Sequence, residues 1–167
     1  MHSVPLEHEK QKLIFYVAQD LDQSIRSNVQ QLVNEVAASR IWSIAPPIFI
    51  DAIDEGGAEV VGGMLEINSA LQPNILSVDM DSKNLDEVEE IVCAVKKLSE
   101  KENISFEFQL DTTFVGAIDD GVIDRVLLEG LLVPWRNHIK GKVELVQREE
   151  KGGGFILIRD GSKKPTK

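Results

Sequence analysis

The hydrophobic pattern predicts an α+β domain, a mainly antiparallel sheet of about six or seven strands with about three helices packed on one face, including a split βαβ-like unit. Three observations predict it. Ile104, Phe106, Phe108 and Leu110 alternate with Ser105, Glu107 and Gln109, the two-residue period of a strand with one dry and one wet face. Just before them, Leu85, Val88, Ile91, Val92, Val95 and Leu98 recur at the helical period. Elsewhere, short β-branched and aromatic runs are separated by Gly, Pro and Asp turns.

In chain order, residues 13–18 read as a first strand ending near Asp20. A helix follows, capped by Asp20 or Asp22, with Ile25, Val29, Leu32 and Val36 on its buried stripe. Pro46-Pro47 forbids helix and sets up an extended segment, residues 48–52, with Ile48 and Ile50 on one face and Phe49 on the other. The strand runs into a turn at Asp54-Glu55-Gly56-Gly57. Extended structure resumes over residues 58–67, where Gly62-Gly63 marks a bulge or a close backbone approach. After a loop at 68–74, alternation over 75–80 predicts a third member of a β-meander.

Ser82 or Asn84 caps the next helix, with Asp86, Glu87, Glu89 and Glu90 near its positive end and Lys96 and Lys97 nearer its negative one. Residues 104–110 complete a strand, helix and strand that resemble half of a ferredoxin-like fold. Over 122–139 the helical pattern is weakened by Gly130 and broken or kinked by Pro134, so one helix or two short ones fit equally. Residues 143–148 and 155–159 read as a hairpin around the glycine-rich 149–154, within a single domain spanning 1–160. The basic tail 161–167 reads as disordered.

The chain has 167 residues, with Lys+Arg 18 against Asp+Glu 28 and a net charge of −10. That balance argues against a nucleic-acid binder, which needs a basic stripe. Residues 1–12 lack the apolar core of a secretory signal, and no apolar run reaches the roughly 20 residues of a membrane span, so a cytoplasmic protein is expected. The single cysteine, Cys93, has no partner for a disulfide or zinc knuckle, and within the helical pattern it reads as a small buried hydrophobe.

Carboxylate clusters invite a metal. Asp51, Asp54 and Glu55 surround one turn, and Asp79 and Asp81 flank a predicted strand end, but neither spacing fits a calcium loop, and both read as solvated carboxylates. Histidine adds little, since His2 and His8 lie in the terminus and His138 stands alone near a predicted helix end. Gly152-Gly153-Gly154 leads into a strand pattern and no GK[ST] is present, so no phosphate loop and no cofactor is expected.

The segment 112–139 carries the pattern Gly116-x-Ile118-x-x-Gly121-x-x-Asp124, then Glu129-Gly130-Leu131-Leu132-x-x-Trp135. It resembles a segment of small acidic immunity proteins from bacterial toxin–immunity systems, over about a sixth of the chain. The resemblance implies a non-enzymatic protein that neutralises a cognate toxin by direct binding, and it brings no catalytic residues. An acidic surface would steer a basic partner. The expected contacts are Asp51, Asp54 and Glu55 in one turn and Asp119, Asp120 and Asp124 in another, with Trp135 or Trp42 as an aromatic anchor if exposed. Two alternatives stand beside it. One is a small hydrolase using two of Asp111, Asp119, Asp120 and Asp124 in a concave pocket. The other is a structural or adaptor subunit, a homodimer or larger oligomer formed through a sheet edge or the helix carrying Leu131 and Leu132.

Overall fold

The computed structural model describes residues 10–68 and 77–152. Six strands, β1 (Lys10–Val17), β2 (Ile48–Ile53), β3 (Glu59–Asn68), β4 (Phe106–Leu110), β5 (Thr113–Asp119) and β6 (Val122–Ile123), form one sheet in the order β2-β3-β1-β4-β5-β6. Every pairing is antiparallel. The helices are α1 (Gln23–Ala38), α2 (Val78–Glu102), α3 (Arg125–Leu127) and α4 (Val133–Gly152), with a π-helical turn, Leu128–Leu132, joining the last two.

The first four strands and two helices follow one another as βαββαβ, and the order β2-β3-β1-β4 interleaves two split βαβ units, the ferredoxin-like arrangement. Sequence patterning placed only half of this unit and gave it the wrong first strand. Val78–Met80 is helical, so the strand that leads into α2 is β3. The alternation over 75–80 is too short to outweigh a cap, and Ser77 supplies one by accepting from Met80 N at 3.1 Å. Ser82 and Asn84, the expected caps, lie inside the helix, while Asp79 and Asp81 occupy its first turn. Residues 75 and 76 and most of the 68–74 loop fall outside the described residues.

Alternation in each strand sets the layers. Leu13, Phe15 and Val17, with Val61, Leu65 and Ile67 of β3 and Phe106, Phe108 and Leu110 of β4, point to one face and are buried there with Val29, Val33, Val88, Val92 and Val95 of the helices. Gly62 and Gly63 leave the ladder unbulged. A Cβ on Gly62 would sit 1.8 Å from the Phe15 carbonyl oxygen, and one on Gly63 2.7 Å from the Phe15 ring, so the pair answers a close approach between β3 and β1. The β4–β5 ladder does shift register at Phe108/Gln109, and opposite this Gly116 takes φ +143, with Leu127 2.4 Å from where a Cβ would be.

Beyond β6 the helical run is continuous. Pro134 has no N–H to give the Gly130 carbonyl, and the turn before it widens, Val133 N–H reaching back to Leu128 O. The run does not end at Ile139. Residues 143–148, expected as a strand, continue α4, because a short apolar run fits either period and Trp135, Ile139 and Lys142 already share one helical face. The 149–152 part of the expected connection is helical as well. The 155–159 strand and the 161–167 tail lie outside the described residues, as do His2 and His8. No helix of the described residues is long and apolar enough to cross a membrane.

Candidate partner-binding surface

Strand directions decide where the acidic turns go. β2 and β1 both run antiparallel to β3, and β5 and β1 both run antiparallel to β4, so β1, β2 and β5 end on the same rim of the sheet. Asp20 and Asp22 follow β1, Asp54 and Glu55 follow β2, and Asp119 and Asp120 close β5. Four strand spacings of about 4.8 Å put the two turns about 19 Å apart along that rim, with the β1 exit between them.

The carboxylates on the rim divide by what they hold. Asp22 caps α1, accepting from Ile25 N at 2.8 Å. Asp54 closes its own turn through Gly56 N and Ala58 N, both at 2.9 Å. Asp51 faces the helices and pairs with Arg26 at 2.6 Å, and Arg26 also pairs with Glu59. Burial works against the Arg26 charge, but Glu59 and Asp51 outweigh it and raise its pKa. Asp124 caps α3, accepting from Leu127 N at 2.8 Å. Asp20, Glu55, Asp119 and Asp120 are exposed and make no bond to other described side chains. Glu100 adds to this rim, because the β5–β6 turn packs on the end of α2 through Gly121 N to Ser99 Oγ at 3.0 Å.

Neither tryptophan meets the condition for an exposed anchor. Trp135 is 5% exposed and gives its N–H to Asp81, while Trp42 is 7% exposed and gives its N–H to the Ala37 carbonyl. A helical residue on an apolar stripe is core when a second helix covers that stripe, and α2 covers it here. The exposed apolar residues lie elsewhere. Val122 and Val126 lie on β6 and α3 just beyond the Asp119 turn, Phe114 lies near the opposite end of β5, and Ile48 and Ile53 mark the free edge at β2.

The sheet face away from the helices, expected to be wet, also carries apolar side chains that residue-by-residue reading did not assign to it. Ile14 and Tyr16 of β1, Met64 of β3 and Ala117 of β5 lie on it, only half-buried although their strands are central. Ile48 and Ile50 join them across from Met64 and Gly62. Tyr16 donates to Glu107 Oε1 at 2.7 Å on this face, and burial, then the Glu107 carboxylate, push its pKa up to about 12. The signal for the face was present in the alternation of β4, but that pattern does not say whether a second layer covers it.

The expected carboxylate group for hydrolysis is split. Asp111 sits at the β4–β5 turn, with φ 56, accepting from Lys12 N at 2.9 Å, whereas Asp119 ends β5 at the opposite rim. The seven-residue β5, at about 3.3 Å per residue, runs from the turn holding Asp111 to Asp119 at its end. A groove of about 270 Å³ lies instead between α1 and α2, floored by Leu32, Val36, Ala94 and Leu98 and flanked by Lys97 and Lys101. Among the described residues no group of three or more His, Cys, Asp or Glu is placed to hold a metal ion. Cys93, expected in the core, is exposed on α2, and His138 is exposed in the first half of α4.

A comparison with protein families, with curated proteins and with solved structures found no match to the chain.

Proposed function

We propose that this chain is a non-enzymatic binding protein that engages a basic protein partner through the rim carrying Asp20, Glu55, Asp119 and Asp120. The most concrete form of that reading is an immunity protein that neutralises a cognate toxin by direct contact. The observation that carries it is the convergence of two turns, 65 positions apart at Asp54 and Asp119, on one end of the sheet. Carboxylates not engaged by the fold are free to steer and hold a cationic surface. Ile14, Tyr16 and Met64, half-buried on the neighbouring open sheet face, supply contact area that charge alone lacks. Asp51 serves the Arg26 ion pair, Asp54 its own turn and Asp124 the α3 cap, and Trp135 serves the core.

The test is capture by the tagged full chain from lysate of its native cell at low and then high salt, repeated with Asp119→Lys/Asp120→Lys. A single stoichiometric basic partner, lost at high salt and on charge reversal, and toxic when expressed without this chain, supports the reading. Absence of any such partner at either salt overturns it.

A second reading rests on β2. Its outer edge is unpaired among the described residues, and Ile48 and Ile53 on it are 53% and 71% exposed. An apolar edge strand is a template for another strand, which favours a homo-oligomer through the sheet edge. A mass that rises with concentration distinguishes it.

A further inference from the structure

Three polar side chains, one per turn of α2, are buried in succession: Asp81 at 2%, Asn84 at 0% and Glu87 at 1% exposed. Asp81 is matched by Lys142 Nζ at 2.9 Å. Glu87 is not matched by any charge among the described residues. Its Oε2 accepts from the backbone N–H and the hydroxyl of Ser43, at 2.8 and 2.7 Å, both neutral donors. Its Oε1 has no partner. The cation nearest in sequence to Ser43, Arg40, pairs through Nη1 with Asp86 and Glu90, and its buried Nε has no partner.

One turn back, the Asn84 Oδ1 is also without a partner, while its Nδ2 donates to Asn68 Oδ1 at 3.4 Å. Asn68 is itself 8% exposed, at the end of β3. Helix positions three apart share a face, with Cβ atoms about 5–6 Å from each other, so the two orphaned acceptors lie on one side of α2. A buried carboxylate without a countercharge, beside a second orphaned acceptor, is a costly arrangement that native proteins rarely keep.

We propose that Glu87, Asn84 and Asn68 form an internal site for a hard monovalent cation, Na⁺ or K⁺. The donors are all oxygens, one carboxylate and two amide carbonyls, which suits a hard ion and offers nothing to a soft one. Charge balance selects a single positive charge. One carboxylate is neutralised by a monovalent ion, whereas a divalent ion would leave an unmatched charge in the interior. The ion ties the end of β3 and the connection holding Ser43 to the middle of α2.

Thermal unfolding of the full chain at constant ionic strength tests this, with NaCl or KCl replacing N-methylglucamine chloride. The expected result is a saturable rise in Tm with Na⁺ or K⁺, about 4 °C at ten times Kd, the better-fitting ion giving the larger rise. Glu87→Gln is expected to unfold at one temperature in all three salts. Sodium NMR line broadening on the wild-type protein, relieved by K⁺, checks occupancy if that variant does not fold. A Tm independent of cation identity means a water or a proton completes Glu87 and overturns the proposal. A cation response that survives in Glu87→Gln, or one to CaCl₂ alone, overturns it equally.

Discussion

Trp135 and Asp81, 54 positions apart, meet in the interior, the indole N–H donating to Asp81 Oδ1 at 2.8 Å while Lys142 Nζ reaches Oδ2 at 2.9 Å. One carboxylate thus locks α4 to the first turns of α2 with a neutral and a charged donor. Asp81→Ala removes both the Lys142 ion pair, in which the lysine side chain is 17% exposed, and the Trp135 hydrogen bond, and is expected to cost about 3 kcal/mol in denaturant unfolding. Adding Lys142→Met should recover only part of it, because the buried charge is gone but the Trp135 N–H still lacks its acceptor. Equal losses in the single and double variants would show that Asp81 acts through something other than the pair.

Gly62 is held to glycine by a carbonyl oxygen. A side chain on a flexible neighbour can give way, but the Phe15 backbone is in the β3–β1 ladder and cannot. Gly62→Ala is expected to abolish cooperative unfolding or cost more than about 3 kcal/mol. Gly130→Ala, with nothing within 4 Å of its added Cβ, is expected to be tolerated in the same assay.

Tyr16 is the single tyrosine of the chain, so the tyrosinate absorbance reports it alone. Its folded pKa is raised from 10.0 to about 12 by burial and by Glu107. Between those values the unfolded chain releases the proton and the folded chain keeps it, so the stability it confers is full below pH 10 and is lost as pH rises toward 12. Tyr16→Phe should flatten that alkaline decline, and Glu107→Gln should bring the titration midpoint back toward 10.0. A native titration at the ordinary tyrosine value would contradict the buried hydrogen bond.

Two carboxylates five positions apart should behave differently on substitution. Asp124→Ala removes the cap of α3 and should lower stability by about 1 kcal/mol. Asp119→Ala, exposed and unbonded to other described side chains, should stay within about 0.5 kcal/mol of wild type while weakening partner capture. Comparable stability losses at both positions would mean that Asp119 has a structural role.

Much of the fold was legible because its signals are local. The cap at Asp22, the stripe of α1 and the alternation of β4 each depend on residues a few positions apart, and a polar residue on the wrong phase would have revealed an error. The errors fell where two local signals competed over a short stretch. Residues 78–80 alternate like a strand but follow a capping serine, and residues 143–148 fit either period, so helices already docked on α2 and on the sheet decided both. The exposure of Cys93 turned on which side of the α2 stripe remains uncovered, which periodicity alone left open.

The sequence by itself determined the α+β class, the acidic charge and the turns after Ile53 and after Asp119, since composition and near-neighbour periodicity are properties of the chain. Tertiary structure decided which of those turns share a rim, that Asp111 and Asp119 stand at opposite ends of β5, that Trp135 is core, and that one sheet face has no described layer over it. Those facts follow from strand order and direction, and these are set by contacts between residues far apart in the chain, to which no local pattern is sensitive.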